Sequence, residues 1–295
     1  MDLIGVTGVP GNVGTPLVAE LLARGARVRV LARRPGHARE VLGDVLGEGT
    51  LEGVEFGHLD FGNRRTYVAA FRGVRRLFVT RPPQLSQVGR DMIPALDVAL
   101  GAGVEQMALL SLQGVERLRF VPHAKLEAYM QESGARYTFL RPSFFLQNLT
   151  TTHLPELQRG EIYVPAGGGR TSFVDVRDVA EAGAVVLTED GHAGRAYELT
   201  GSESLTYGEV ASHFSAVTGR PIRYANPSPL AFYRHLRARG VAPAQILVME
   251  AIYGVARLGL AGRVTPDLAR LLGRSPRTVD DFARDHAALI RGEGA

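Results

Sequence analysis

LIGVTGVPGNVG, residues 3–14, decides the fold, because inside it a buried strand has to turn into a helix. Leu3, Ile4 and Val6 form a short apolar run that suits a parallel strand covered on both faces. Beyond the glycines, Leu17, Val18, Leu21 and Leu22 recur at helical spacing. Pro16 falls in the first helical turn, where proline is tolerated, and Gly25 closes the segment. The reading is strand, glycine turn, helix.

Each glycine of the turn then has a physical task. Gly8 makes the tight turn, Gly11 lets a phosphate approach the backbone, and Gly14 lets helix and sheet pack closely. The helix N-terminus adds N–H groups that favour an anion. In that setting Thr7, Gly8, Pro10, Gly11, Asn12, Val13 and Gly14 read as a dinucleotide cradle with Gly-x-x-Gly-x-x-Gly spacing. An ordinary tight strand-to-helix turn would use the same glycines, so the strand before and the helix after carry the reading.

This glycine spacing is joined by ARRP (32–35), HLDF (58–61), LFVTRPP (77–83), SGARYTFLRPSFFLQNL (133–149), FVDVRDVAEA (173–182) and LLGRSPRTVDDFARDHA (271–287). Together they resemble the NmrA-like group of atypical short-chain dehydrogenase/reductases, which includes quinone oxidoreductase-like and isoflavone reductase-like members. The resemblance implies an α/β chain: a Rossmann-type doubly wound parallel sheet with a smaller, mostly helical C-terminal lobe. Residues 1–150, with 171–200 returning to them, would form the NAD(P)-binding domain, and 151–170 with 201–295 the substrate lobe.

Composition sets outer limits. With 45% hydrophobic residues the chain can bury a substantial core. No run approaches the ~18 apolar residues of a membrane span, and the first strand begins at residue 3, so the expectation is a cytoplasmic protein without a signal peptide. The absence of cysteine excludes disulfides and thiolate chemistry, so redox work would fall to a bound cofactor. No His/Asp/Glu cluster has metal-ligand spacing, and a net charge of +4 with scattered basic residues argues against a nucleic-acid groove. Lys125 is the only lysine.

The second strand, with Val28, Val30 and Leu31, ends in Arg33 and Arg34. A site for NAD(H) would place an acid there for the ribose hydroxyls, whereas an arginine accommodates a 2′-phosphate, so Arg33 favours NADP(H) over NAD(H). Two arginines solvating a loop would look the same. Val54–Leu59 reads as the third strand, and the resemblance puts Asp60 and Phe61 beside the adenine, although Asp60 also suits a turn or cap. Strand four ends at Thr80-Arg81-Pro82-Pro83, where the prolines force the chain out of the sheet at the ligand crevice. By resemblance Thr80 and Pro82 border the nicotinamide side; Arg81 reaches a phosphate or solvent. Strand five, Ala108–Leu110, leads to Ser111, near where many short-chain reductases keep a serine beside the substrate.

Short-chain reductases ordinarily hold a tyrosine four residues before a lysine. Here Tyr129 is followed at that distance by Ser133, Tyr137 by Arg141, and Lys125 is preceded by Val121. The usual proton-donor pair is therefore excluded. In the helix Pro122–Ser133, His123 takes the position where isoflavone-reductase-like relatives hold a catalytic lysine, and Lys125 lies two residues off that register. His123, with an ordinary pKa near 6.5, would donate a proton or hydrogen-bond nicotinamide or substrate. After the sixth strand, Tyr137–Leu140, Phe144 and Phe145 with Asn148 are expected at the crevice, one aromatic walling the substrate and one in the core.

Further on, Gly167-Gly168-Gly169 reads as a flexible turn between short strands at Ile162–Val164 and Thr171–Val174, and Asp175 and Asp178 as structural. Ala196–Leu199, Thr206–Thr218 and Pro221–Tyr224 would frame the small lobe. In the helical remainder Tyr233, Leu236, Ile246, Met249, Tyr253 and Leu258 would cover the crevice or form a partner surface. The expected activity is NADPH-dependent hydride transfer to a small apolar acceptor such as a quinone or conjugated carbonyl. The competing reading is a catalytically silent NADP(H) sensor, with room for a homodimer or a regulatory protein partner.

Overall fold

Every residue of Leu3–Thr7 (β1) is buried, as a central strand requires. In the computed structural model, which describes residues 2–293, it is followed by α1 (Gly14–Ala23), β2 (Arg27–Ala32), α2 (Pro35–Leu46), β3 (Glu55–His58), α3 (Tyr67–Phe71) and β4 (Val74–Thr80). Next come α4 (Val88–Asp91), α5 (Ile93–Gly101), β5 (Gln106–Leu110), α6 (Pro122–Glu132) and β6 (Arg136–Pro142). Helices α4 and α5 are separate elements: Pro94 falls in the first turn of α5, where its missing N–H breaks no helical bond. Val88, Met92, Leu96 and Ala99 are nonetheless all buried along one inner face.

The chain then leaves the sheet for α7 (Gln147–Thr150), α8 (Leu154–Gln158), β7 (Glu161–Ile162) and β8 (Arg170–Thr171), and returns through α9 (Val176–Thr188) to β9 (Arg195–Leu199). The resulting sheet has the order β3-β2-β1-β4-β5-β6-β9, with every neighbouring pair parallel. Strand order reverses between β1 and β4, so their carboxyl ends flank the crevice at which doubly wound sheets take ligands. Ala196–Leu199 thus belongs to the main sheet and not to the frame of the small lobe, because Phe139 and its neighbours in β6 offer an open edge to pair with.

Two compact units result. One runs to Pro142 and resumes over Val176–Leu199; the other holds Ser143–Asp175 and continues from Thr200. The second contains β10 (Leu205–Thr206), α10 (Tyr207–Thr218), β11 (Arg223–Tyr224), α11 (Pro229–Ala238), α12 (Pro243–Arg257), α13 (Asp267–Leu272), α14 (Val279–Asp285) and α15 (Ala287–Arg291). Its strands are two residues long and pair non-locally, β7 in parallel with β11 and β8 antiparallel to β10. Its core is aromatic, with Tyr207, Phe214, Phe232 and Phe282 fully buried. Leu236, Ile246 and Tyr253 lie in that core and line no free surface, whereas Leu258 is exposed. Among the described residues no helix is long and apolar enough to cross a membrane.

Candidate functional site

Two glycines converge on the carbonyl of a third at the end of β1. Gly8 has φ +80°, and a Cβ there would stand 2.9 Å from the Thr80 Cβ. A Cβ on Gly11 would stand 2.6 Å from the Gly8 oxygen, and one on Gly14 would collide with that same oxygen. Only glycine permits this coil, which carries the chain directly into α1. No side chain caps α1, and its first turn holds no acid. Among the described residues the amides of Asn12, Val13 and Gly14 donate to nothing within the chain, so the positive end of the helix is open to an anion. Pro10, Gly11 and Asn12 are exposed, while Val13 is buried against the core.

Thr7 works from beneath. Its buried hydroxyl donates to the Phe78 carbonyl at 3.0 Å and accepts from the Thr80 amide at 2.8 Å, pinning β1 to β4. Its side chain is therefore engaged by the sheet, where it sets the position of the turn.

At the end of β2, Arg33 and Arg34 are exposed, and among the described residues neither side chain makes an ion pair. Asp60 is half-buried, and its carboxylate accepts from the Gly62 amide at 2.9 Å, the geometry of a turn that stabilises its own loop. The Thr66 hydroxyl accepts from the Asp60 amide at 3.1 Å, and the buried Tyr67 hydroxyl donates to the Phe61 carbonyl at 2.6 Å. This loop is held in place, with Phe61 packed against the sheet core.

Two hydroxyls at the carboxyl edge stand out. Thr80 Oγ1, at the end of β4, and Ser111 Oγ, just after β5, are buried and lack hydrogen-bond partners. A buried hydroxyl without a partner is costly, so such groups point to a ligand that completes them. Arg81 clamps its own loop: its Nη1 donates to the carbonyls of Pro82 (3.1 Å), Pro83 (3.0 Å) and Leu85 (3.0 Å). Its Nε donates to His123 Nε2 at 3.5 Å. With Nε2 the acceptor, the imidazole proton resides on Nδ1.

His123 lies in the first turn of α6 and is half-buried. Burial, reinforced by the positive Arg81, pushes its pKa down to about 4, so the ring is neutral near pH 7. It can offer a neutral N–H but holds no imidazolium proton to give. Lys125 is exposed on the same helix. One turn beyond His123, Glu127 is buried and receives Arg141 of β6 through two hydrogen bonds, Nε to Oε1 at 3.0 Å and Nη2 to Oε2 at 2.6 Å. Glu116 adds a second carboxylate 3.5 Å from Arg141. This pair fixes α6, and hence His123, against the sheet. Nothing in the sequence joins the two residues, although a glutamate between apolar Leu126 and Met130 is a visible signal.

Phe144, Phe145 and Asn148 belong to the second unit. Phe144 packs edge-on to Phe173 (5.7 Å between ring centroids) and Tyr207 (6.0 Å) within the aromatic core. Half-buried Phe145 bridges to Val174, and the Asn148 carbonyl accepts from the His153 amide at 3.1 Å. His153, which no motif in the sequence marks, is buried and hydrogen-bonded to Tyr253, and burial pushes its pKa down to about 4.

A family model described as the NmrA-like family matches residues 1–283. The chain belongs to the NmrA-like family. Among its relatives, an NAD(P)H azoreductase of Xenophilus azovorans is 31% identical over 98% of this chain and 99% of the relative. A (4-alkanoyl-5-oxo-2,5-dihydrofuran-3-yl)methyl phosphate reductase of Streptomyces griseus is 34% identical over 99% of this chain and 100% of the relative. The solved triphenylmethane reductase of Citrobacter sp., complexed with NADP(H), superposes with a TM-score of 0.83 at 26% identity, covering 96% of this chain and 99% of that one. The NmrA-like fold therefore accounts for both units of the chain.

Proposed function

We propose that this protein is an NADPH-dependent oxidoreductase that passes hydride to a small apolar acceptor such as a quinone or a conjugated carbonyl compound. The observation that carries the reading is the turn at residues 8–14, with open amides at Asn12, Val13 and Gly14 and no acid in the first turn of α1. The unpaired Arg33 at the end of β2 and the names of the azoreductase and the two reductases support it. A nicotinamide cofactor bound there would supply the hydride. Gly8, Gly11, Asn12, Val13 and Gly14 would hold the pyrophosphate, and Arg33 the 2′-phosphate. Thr80 and Ser111 would complete their hydroxyls on the nicotinamide side. Neutral His123, held by Arg81 and by the Glu127–Arg141 pair, would offer an N–H to an oxygen that gains charge, leaving protonation to water. An acceptor that takes hydride readily suits this arrangement, because positioning then supplies most of the catalysis.

The test is a fluorescence titration with NADPH, followed by NADPH oxidation against a panel of quinones, enones and azo dyes. Turnover well above the rate without enzyme is expected. A second reading, an NADP(H)-binding sensor without chemistry, is favoured by the missing Tyr-x-x-x-Lys pair. Tight NADPH binding without turnover against any acceptor would select it.

A further inference from the structure

Arg81, in the loop after β4, is half-buried, and among the described residues no carboxylate pairs with it. A guanidinium in that state has to satisfy its donors elsewhere. Nη1 donates to the carbonyls of Pro82, Pro83 and Leu85, which fixes the plane of the group against a loop stiffened by two prolines. The same plane aims Nε at His123 Nε2, 3.5 Å away. Arginine has only donors and no acceptor, so the direction of this bond is forced: Nε2 must present its lone pair. The ring proton then lies on Nδ1, which among the described residues has no partner.

We propose that Arg81 is a positioning residue that locks His123 in the Nδ1–H form, making it a donor toward the acceptor and never a base; this rests on the proposed reductase function. The arrangement inverts the carboxylate–histidine pair. There an acceptor holds the proton on the near nitrogen and leaves the far one basic. Here a cationic donor holds the lone pair on the near nitrogen and turns the N–H away from Arg81, polarised by the guanidinium behind it. Such an imidazole suits a ligand atom that carries a lone pair, such as a quinone or enone oxygen or an azo nitrogen. It offers no base to a ligand hydroxyl.

The experiment is a proton–nitrogen correlation spectrum of the full chain carrying isotope-labelled histidine, which reads the nitrogen that holds the proton. Near pH 7 burial keeps the ring neutral. A neutral imidazole free in water holds its proton mainly on Nε2, whereas His123 should show it on Nδ1, its signals being assigned by their loss in His123→Gln. Arg81→Met removes the donor and should return the proton to Nε2. A wild type with the proton on Nε2 overturns the proposal, and so does an Arg81→Met spectrum that matches the wild type. Turnover supplies a second readout that leaves the Arg81 loop intact. Asparagine places an amide N–H where Nδ1–H stands, and glutamine places one where Nε2 stands. With a quinone, His123→Asn should lower kcat about fivefold and His123→Gln about a hundredfold, with NADPH affinity within about twofold in both. Equal losses overturn the proposal. A wild type in the Nδ1–H form that turns over no acceptor counts against the reductase function and for the lock; turnover with the proton on Nε2 does the opposite.

Discussion

The glycines at 8–14 and those at 167–169 both bring backbone against backbone, yet only the first turn leaves three successive amides open at the start of a helix. Around Gly8 the chain coils on its own carbonyl and releases three amides at the start of α1. Gly169 instead lies hard against α12, where a Cβ would overlap the Ala256 carbonyl and stand 2.9 Å from the Arg257 amide. That turn is a packing contact and not the flexible loop its three glycines suggest. Glycine content therefore marks close approach in both units, and a run of open amides at a helix start sets the first turn apart from a packing joint.

The sharpest way to break this distinction is Gly169→Ala. A methyl group there must push α12 off its seat, so a loss of about 3 to 4 kcal/mol is expected in urea unfolding. A loss under about 1 kcal/mol would mean that the turn yields freely and that its glycines are permissive rather than required.

The two units also differ in how they were legible. The sheet unit announced itself because each strand is a local apolar run ended by a glycine or proline, and β1 to β6 lie within or around the predicted segments. Its site was legible where backbone chemistry dictates residue type, as at Gly8 and Gly14. It was not legible where two distant side chains meet: Arg141 reads as a strand residue and Glu127 as a helix residue until the fold joins them. Thr7 and Arg81 gave the same difficulty, since a polar residue at a strand end serves the loop or the ligand equally well on paper. In the second unit two-residue strands carry too little pattern to read, and the pairing of Arg223 with Glu161 spans 62 positions. The two-sided apolarity of α12 was visible, but only burial says which side the core takes.

The buried histidines extend the comparison. His123 and His153 are both depressed to about 4, each chiefly by burial; Arg81 adds to the first, while around the second Glu156 opposes the effect of Arg239 and His235. As pH falls below the ordinary value near 6.5 the unfolded chain takes up these protons and the folded chain does not. Stability is thus retained above that value and lost as pH drops toward 4. For His153 the loss between about pH 7 and pH 5 should be about 2 kcal/mol. His153→Gln keeps a partner for Tyr253 without titrating, so its unfolding midpoint should fall less over that range. Equal slopes would assign the acid sensitivity elsewhere.

The first turn is probed by Gly14→Ala. The added methyl group meets the Gly8 oxygen, so the open amides move apart and NADPH affinity should drop about thirtyfold, near 2 kcal/mol. Unchanged affinity would show that the amides of this turn do not hold the cofactor.

The smallest effect concerns which cofactor the turn accepts. Arg33 is exposed and unpaired, so removing it leaves no buried group stranded and costs little stability. What it can lose is a charge-assisted hydrogen bond to the phosphate that distinguishes NADPH from NADH, a bond that solvent weakens at an exposed site. Arg33→Ala should therefore weaken NADPH binding by about 1.5 kcal/mol and leave NADH binding nearly as it was. Isothermal titration with both cofactors separates the possibilities: equal losses would make Arg33 a general cation at the crevice, and no loss for either would transfer the selection to Arg34 or remove it from this strand end. The difference between the two cofactors, rather than either affinity alone, is the quantity that tests whether the open turn of the sheet unit is built for a 2′-phosphate.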